Sequence, residues 1–491
     1  MLFSYFMASS IKRNFALNLI NTISGLLFPL VTFPYASRIL LADGIGQVQF
    51  FQGIIGYISL CTALGIPLYA IREIARVRND KTLCSKTAIE ILLLHSVLTL
   101  AGYAVVYVLM ATVAKIQVDI PLFLLLSTNL FFTAIGAVWF YQGIEDFKYI
   151  TIRAIVIRIF SLICLFVFIR DKSDLFYYAA ISVTAEVGSN LFNFIRLRKY
   201  IDIGQLTLKE LHPLRHLRPA LRIFAMNLVI SIYVNLDSVM LGFMKNEVTV
   251  GYYTASTRIT KSILGVVSSL GTVLLPRLTN LINNNRIDDF RMLANKAISF
   301  TLAISLPLTI GLIFMAKPLI HLFCGDRFGP AILTMQIMAP IILFISLSGI
   351  MCWQILFPLD KERLVVYATL AGAIVNFSLN LLLIPSYSQY GAGVATCVAE
   401  SLVVITTIVF TRRYVSVKLA SKQNIHYYIA ATLMAVLLFV LDKLITDEIW
   451  YACTGFLFSI LIYGGYLRLK RDVFVLQIQN IVVKILNRYS R

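Results

Sequence analysis

Charged residues are scarce in this chain, and their scarcity limits the kind of protein it can be. Of its 491 residues only 14% are charged and 59% are hydrophobic, whereas a soluble domain has roughly 25% charged and 45–50% apolar residues. The mean hydropathy is +0.83. Because so little polar surface is available to cover a core, the composition excludes a soluble enzyme and predicts a polytopic membrane protein.

The sequence also lacks the motifs that bind nucleotides, metals or disulfide partners. No Walker A sequence and no dinucleotide fingerprint is present, so ATP is not an evident energy source. The seven cysteines form no CxxC pair, and most of them fall in apolar runs, where we expect them to pack as small hydrophobic residues. The five histidines show no ligand spacing. We therefore predict no catalytic residue, no metal site and no cofactor.

Positive charge is what the chain has in excess, with a formal net charge of +19. In a soluble protein this charge would suggest nucleic acid, but its distribution favours membrane topology. With the N-terminus in the cytoplasm and the span ends counted with their loops, 32 of the 43 Lys and Arg residues are cytoplasmic, 8 are outer and 3 lie in spans. Cytoplasmic loops collect Lys and Arg. We therefore predict that both termini are cytoplasmic and that nucleic acid is not a partner.

Apolar segments of about 20 residues, the length that crosses a hydrocarbon core of roughly 30 Å, recur along the whole chain. The predicted spans are 14–36, 46–66, 87–112, 119–141, 153–169, 175–195, 220–242, 251–274, 295–315, 331–357, 364–384, 391–410, 427–445 and 449–467. The loops between them are short. We therefore predict an all-α fold of about fourteen transmembrane helices with no inserted soluble domain.

Two weak internal repeats predict that the bundle consists of two similar halves. Trp139 precedes Asp146 as Trp353 precedes Asp360, and Ala42-Asp-Gly-Ile-Gly opens one span as Val248-Thr-Val-Gly opens another. Parallel repeats around a cavity are a common transporter plan. The predicted domains are an N-lobe at 1–200, a basic cytoplasmic linker at 201–219, a pseudo-symmetric C-lobe of six helices at 220–412, two extra helices at 413–467, and a basic tail at 468–491 with amphipathic spacing over 474–486.

Several motifs, taken in order, carry a family resemblance. They are Phe33-Pro-Tyr-Ala-Ser-Arg-Ile-Leu, Gly44-Ile-Gly-Gln-Val-Gln-Phe, Gly65-Ile-Pro, Ile71-Arg-Glu-Ile-Ala-Arg, Trp139-Phe-Tyr-Gln-Gly-Ile-Glu, Leu236-Asp-Ser-Val-Met-Leu-Gly and Gly251-Tyr-Tyr-Thr-Ala-Ser. Over nearly its whole length the chain resembles the polysaccharide biosynthesis proteins, the Wzx-type flippases for O-antigen and capsule. This family belongs to the MOP exporter superfamily, with MATE drug exporters and lipid II flippases as relatives.

The resemblance implies a function that composition does not show. It implies two six-helix lobes with two extra helices in the bacterial inner membrane. It implies that the substrate is a polyprenyl-pyrophosphate-linked oligosaccharide repeat unit, which moves from the cytoplasmic to the outer leaflet for O-antigen, capsule or exopolysaccharide synthesis. Polymerase and chain-length components of the same pathway are the further partners it suggests. It implies a transporter and not an enzyme.

Ionisable residues inside predicted spans are costly, and they are the candidate site residues. Arg258 and Lys261 lie three residues apart on one helix, so both project to one side, and an Arg fork with a Lys charge suits pyrophosphate. The further substrate-binding candidates are Arg158 and the polar residues Asn18 and Asn21 of the first span. The candidates for charge pairs or ion coupling are Asp237, Glu400, Glu186 and Glu90.

Two interpretations of these residues stay open at the level of sequence. In one, the charges form ion pairs that lock helices together, Asp237 with Arg258, Lys261 with Glu400, and Arg158 with Glu186. In the other, the cations face a polar cavity between the halves, and rocking of the halves moves the sugar head across while the lipid tail stays in the bilayer. The Asn residues of the first span equally fit interhelical hydrogen bonding.

Two other functions compete with the flippase. A MATE-like antiporter for drugs or metabolites would need a coupling carboxylate in the first lobe, where the first span has no acid and Glu90 and Glu186 are the acids on offer. A membrane polysaccharide polymerase or ligase would be expected to have a large outer loop with catalytic Arg or His, and the outer loops here are short. Both alternatives are therefore less favoured than the flippase.

Overall fold

The chain folds as helices in the computed structural model. The structure describes residues 2–202, 208–472 and Leu476, without the side chains of 2–16, 26 and 208 and of parts of 225–234 and 266–273. No β-strand occurs within the described residues, and the all-α prediction is confirmed. The chain divides into two compact units, Met1–Gly251 and Tyr252–Arg491.

The first unit begins with a long broken helix and ends inside another helix. Its helices are α1 (Leu2–Ala63), α2 (Ile66–Val77), α3 (Lys81–Thr112), α4 (Ala114–Gln117), α5 (Ile120–Ile135), α6 (Val138–Gly143), α7 (Phe147–Phe168), α8 (Leu175–Val183), α9 (Ser189–Leu197), α10 (Leu217–Met244) and the start of α11 (Glu247–Asn283). A π-helix, Thr184–Gly188, joins α8 to α9, and a 3₁₀ turn, Pro213–His216, precedes α10.

The second unit contains the rest of α11 and seven further helices. These are α12 (Ile287–Phe314), α13 (Ala316–Cys324), α14 (Gly329–Met338), α15 (Ile341–Gly349), α16 (Glu362–Thr411), α17 (Lys422–Leu444) and α18 (Glu448–Leu469). A π-helix, Ile350–Leu356, follows α15. The boundary between the two units falls inside α11. The predicted lobes 1–200 and 220–412 stay predictions.

Nine helical segments of the described residues are long and apolar enough to cross a membrane. Two of these, Leu17–Val77 with 61 residues and Glu362–Thr411 with 50, are each long enough for two crossings at 1.5 Å per residue. A positive φ interrupts each of them, 59° at Leu41 and 52° at Ser388. The polytopic membrane protein is thus confirmed, while the count of about fourteen helices stays a prediction.

Large apolar side chains cover the outside of the helices. Leu100, Tyr107, Leu382 and Phe456 are each about two-thirds exposed or more. The cores of the two units are apolar as well, with Trp139, Phe140 and Tyr141 buried in the first. Exposed apolar side chains of this size and number are what lipid-facing helices are expected to present.

One predicted repeat is visible as a repeated turn, with a difference of one residue. Glu145 and Asp360 both have a positive φ, and an equivalent backbone hydrogen bond closes each helix end: Asp146 N–H donates to Tyr141 O, and Lys361 N–H donates to Leu356 O. The turns are therefore 215 residues apart, whereas the two Trp residues are 214 apart. The π-helix Ile350–Leu356 accounts for the difference, because its wider turn holds an extra residue.

The predicted amphipathic segment 474–486 lies outside the described residues except for Leu476. Part of the predicted basic linker, 203–207, is also outside them. The amphipathic helix predicted for the tail therefore stays a prediction.

Candidate functional site

Arg158 and Asn21, two of the candidate substrate-binding residues, lie together in the first unit. The Arg158 guanidinium, on α7, donates to the backbone oxygen of Asn21 at 3.0 Å, to its Oδ1 at 3.1 Å, and to Ser24 Oγ. A Cβ at Gly25 would lie 3.3 Å from a guanidinium nitrogen, so the glycine permits this approach. Asn18, one turn earlier on α1, is exposed. Arg158 therefore joins α7 to the first segment of α1.

That segment of α1 is weakened just beyond the Arg158 contact. Pro29 and Pro34 lie inside the helix and have no N–H to donate, so the carbonyls of Gly25 and Leu30 lose their helical partners. The break at Leu41 then starts a second segment of the same helix. A polar anchor followed by two prolines gives α1 a place to bend.

Glu90, a candidate for charge pairing or coupling, is fully buried on α3 and binds the segment that precedes α10. Its carboxylate accepts from His212 N–H at 2.9 Å, pairs with Arg215 Nη2 at 2.5 Å, and lies 2.9 Å from His216 Nε2. The hydroxyl of Tyr69 lies 2.7 Å from His216 Nδ1. We call these five residues the Glu90 cluster.

The hydrogen bonds of the Glu90 cluster decide which nitrogen of His216 carries the proton. Burial lowers the pKa of His216 below its usual value, although Glu90 opposes this shift, so the ring is neutral near pH 7. A carboxylate only accepts, so Nε2 must carry the proton and Nδ1 accepts from Tyr69. Arg215 Nε, at 3.2 Å from Nε2, then has no acceptor there. The arrangement fastens residues 212–216 to α3, which suits a charge pair within the fold.

The other acidic candidates of the first unit lie in different surroundings. Glu186, on the π-helix, is exposed and accepts from Asn129 Nδ2 at 3.3 Å. Asp237, on α10, is 7% exposed. Its neighbours Asn235 and Val239 pack against Gly56 and Gly53 of α1, so α10 runs along the second segment of α1. The roles of Glu186 and Asp237 stay predictions.

The second unit contains the candidate cations and a buried polar core. On α11, Arg258 is half-buried and Lys261 is exposed. Glu400, on α16, is 7% exposed. The substrate-binding role of the cations and the coupling role of Glu400 stay predictions.

Three polar residues of this core were missed from the sequence. Asn376 and Asn380 are fully buried on α16 and joined at 3.1 Å, and Thr396 Oγ1 lies 3.2 Å from the Tyr253 hydroxyl and 3.5 Å from Asn376 Nδ2. Polar groups cost free energy when buried without partners. Asn376 and Asn380 are four residues apart, as are Thr396 and Glu400, and this spacing within apolar spans was the available signal.

An apolar groove of about 890 Å³ lies between α12, α17 and α18. Its walls include Ile304, Pro307, Leu308, Met434 and Phe456. Tyr463, which also lines it, donates its hydroxyl to Ala303 O at 2.7 Å and so presents its ring to the groove. By its lining the groove fits an alkyl or isoprenoid chain.

Metal ligands are not grouped in the part of the chain that the structure describes. No set of three or more His, Cys, Asp or Glu residues there could hold an ion.

Comparison with protein families identifies related proteins over most of the chain. The family model for polysaccharide biosynthesis protein matches residues 11–282, more than half of the chain, and the MatE model matches 223–382. A candidate O-antigen transporter of Escherichia coli (strain K12) is 23% identical over 405 residues, 82% of this chain and 97% of that protein. A candidate low-salt glycan biosynthesis flippase, Agl15 of Haloferax volcanii, is 21% identical over 47% of this chain and 49% of that protein.

Solved structures share the fold. The lipid II flippase MurJ in an inward closed conformation superposes with a TM-score of 0.72 at 16% identity, over 93% of this chain and 99% of that one. An inward-facing multidrug resistance transporter of the MATE family, in the MOP superfamily, gives 0.63 at 15% identity, over 80% and 96%. The fold is thus that of MOP-superfamily transporters, and the resemblance drawn from the motifs is confirmed.

Proposed function

The chain belongs to the polysaccharide biosynthesis protein family, and from this membership we propose that it is a flippase for lipid-linked oligosaccharides. Its cargo would be a polyprenyl-pyrophosphate-linked repeat unit, moved from the cytoplasmic to the outer leaflet by alternating access. The observation that carries the proposal is the family match over residues 11–282, together with a candidate O-antigen transporter that aligns over 97% of its length.

The candidate residues suit the two chemically different parts of such a cargo. Arg258 and Lys261 would bind the pyrophosphate or acidic sugars, since a guanidinium fork and an ammonium both complement phosphate oxygens. Arg158 and Asn21 would contribute polar contacts from the first unit. Asp237 and Glu400 would orient the cations or carry a coupling proton. The apolar groove of α12, α17 and α18 is chemically suited to the polyprenyl chain.

Location, topology and partners belong to the same proposal. The charge distribution supports a multi-pass protein with both termini in the cytoplasm, and the family supports the inner membrane of a bacterium. Polymerase and chain-length components that extend the flipped unit would act next, since they consume its product. We propose that the protein itself transports and catalyses no covalent step.

A MATE-like antiporter is the second candidate, because the MatE model matches residues 223–382 and a MATE structure shares the fold. The two candidates differ in their cargo. An antiporter would change resistance to small cationic drugs and leave surface polysaccharide unchanged, whereas a flippase would do the reverse. The near full-length match to a candidate O-antigen transporter favours the flippase.

Replacing the two cations of α11 tests the proposal. We expect Arg258→Gln/Lys261→Gln to abolish surface polysaccharide in a flippase-null strain that the unaltered protein complements, because the variant loses both charges offered to the pyrophosphate. Surface polymer is measured by gel and antibody, and membrane protein level by immunoblot. The control, Lys296→Gln/Arg363→Gln, removes the same charge from exposed residues and should retain polymer. Normal polymer in the first variant would refute the role of these cations.

A further inference from the structure

Two short segments that resemble each other in sequence meet in the structure. Residues 42–46 begin the second segment of α1, and residues 247–251 begin α11, 205 positions later. A Cβ on Gly46 would lie 1.7 Å from the carbonyl oxygen of Glu247. A Cβ on Gly251 would lie 1.9 Å from the carbonyl oxygen of Ala42. We call this the glycine contact.

The glycine contact is reciprocal. Gly46 faces the residue four before Gly251, and Gly251 faces the residue four before Gly46, as in an interface related by a two-fold axis. Both helices present a small residue where the partner's backbone passes, so the helices approach through Cα–H and carbonyl groups. No residue with a Cβ fits at either position without moving the helices apart.

Neighbouring side chains fix each helix end by contacts of another kind. Asp43 pairs with Lys172 at 2.6 Å, and Gln47 donates to Asp119 at 3.2 Å. Lys115 donates to the carbonyls of Gly242 and Lys245, at the end of α10 just before α11. These contacts hold the residues on either side of the glycine contact in place.

The residues beside the glycine contact are buried, and the predicted topology places the contact at the outer face. Ile45 and Val250, also 205 positions apart, are 2% and 0% exposed beside it. The positive-inside count puts the starts of the spans 46–66 and 251–274 outside. At the two glycines, backbone packs on backbone and leaves no gap between these two helices.

We infer that the glycine contact is an outer gate, closed in this structure, which separates when the carrier opens outward. Weak Cα–H contacts suit a gate because they form between backbones, so closing requires no side-chain rearrangement. The pseudo-two-fold relation means that one rotation opens both halves of the contact together. This role in a cycle rests on the proposed transport function, whereas the contact itself does not.

Cysteine labelling tests the gate without any cargo. In a full-length chain whose seven native cysteines are replaced, Val250→Cys reports on Gly46→Ala, and Ile45→Cys reports on Gly251→Ala, so that each reporter lies on the opposite helix. A membrane-impermeant maleimide is added to spheroplasts. We expect each Gly→Ala change to raise the labelling rate about tenfold, since the methyl favours the separated state. The double change should raise it further, because the closed state then contains both clashes and separation relieves both.

A glycine with open space around it provides the control in the same labelling assay. Gly465→Ala, where a Cβ meets nothing within 4 Å, should leave both rates unchanged. Unchanged labelling in Gly46→Ala and Gly251→Ala proteins that insert normally would overturn the gate. If those proteins do not accumulate, labelling of Val250→Cys and Ile45→Cys in proteins that keep both glycines tests the gate. Slow, complete labelling fits a gate that opens transiently, whereas immediate labelling or lasting protection overturns it. A wrong cargo assignment would leave these labelling results intact.

Discussion

Glu90 and Arg158 are both charged residues within apolar spans, and the structure gives them different tasks. Glu90 accepts a backbone N–H and pairs with Arg215, so its charge is used in holding residues 212–216 against α3. Arg158 donates to Asn21 and Ser24 next to the proline pair of α1. The sequence could name both residues because charge in a span is conspicuous. It could not name their partners, because these lie more than 120 positions away.

Removing the Glu90 carboxylate should loosen the segment before α10. We expect Glu90→Ala to cost about 1–3 kcal/mol, because the His212 N–H and His216 lose their acceptor while the half-exposed Arg215 can turn to water. Glu90→Gln should cost less, since it keeps acceptor oxygen. Thermal unfolding in detergent and the rate of trypsin cleavage after Lys209 and Arg218 measure the effect.

An exposed acid provides the control for the Glu90 variants. Asp288 is 99% exposed and pairs with Arg291 at 3.4 Å, and exposed pairs contribute about 0–1 kcal/mol. Asp288→Ala should therefore change unfolding little. Equal effects of Glu90→Ala and Asp288→Ala would contradict the anchoring role of the Glu90 cluster.

At the scale of elements, breaks in helices matter as much as the helices. The apolar runs predicted where most helices lie, but two pairs of predicted spans each form one interrupted helix, with the breaks at Leu41 and Ser388. The π-helices Thr184–Gly188 and Ile350–Leu356 were not predicted either. Hydrophobic periodicity reports which residues face lipid, and it contains no signal for a local change of φ or of helical pitch.

The turn between α1 and α2 gives a prediction at this scale. Gly65 has a φ of 72°, and a Cβ there would lie 2.8 Å from Phe224 N and 2.9 Å from Ala220 O. We expect Gly65→Ala to cost at least about 1–2 kcal/mol from the backbone conformation alone, and more from the contact with α10. The measurement is the midpoint of thermal unfolding, with the helical Gly465→Ala as control. A midpoint unchanged by Gly65→Ala would contradict both the left-handed conformation of this turn and its close contact with α10.

At the scale of the whole molecule, composition and charge already predicted most of the fold class. Low charge and high hydropathy predicted the all-α membrane protein, and the ordered motifs predicted the family, because both signals extend over hundreds of residues. The polar core around Asn376, Asn380 and Thr396 was missed, since single amides in an apolar span gain meaning only from neighbours brought together by folding. The sequence showed the two segments of the glycine contact as a repeat. That they pack reciprocally against each other is seen only in the structure.

Transbilayer movement of the glycolipid in a purified system is the most direct test of the flippase. The full-length protein is reconstituted into vesicles that contain a fluorescent polyprenyl-pyrophosphate-linked oligosaccharide in both leaflets, and an impermeant glycosidase is added outside, with and without an imposed proton or sodium gradient. We predict that the protein makes the inner-leaflet share of the glycolipid cleavable, while protein-free vesicles keep that share protected. Cleavage that stays at the protein-free level under every gradient would contradict the proposed function.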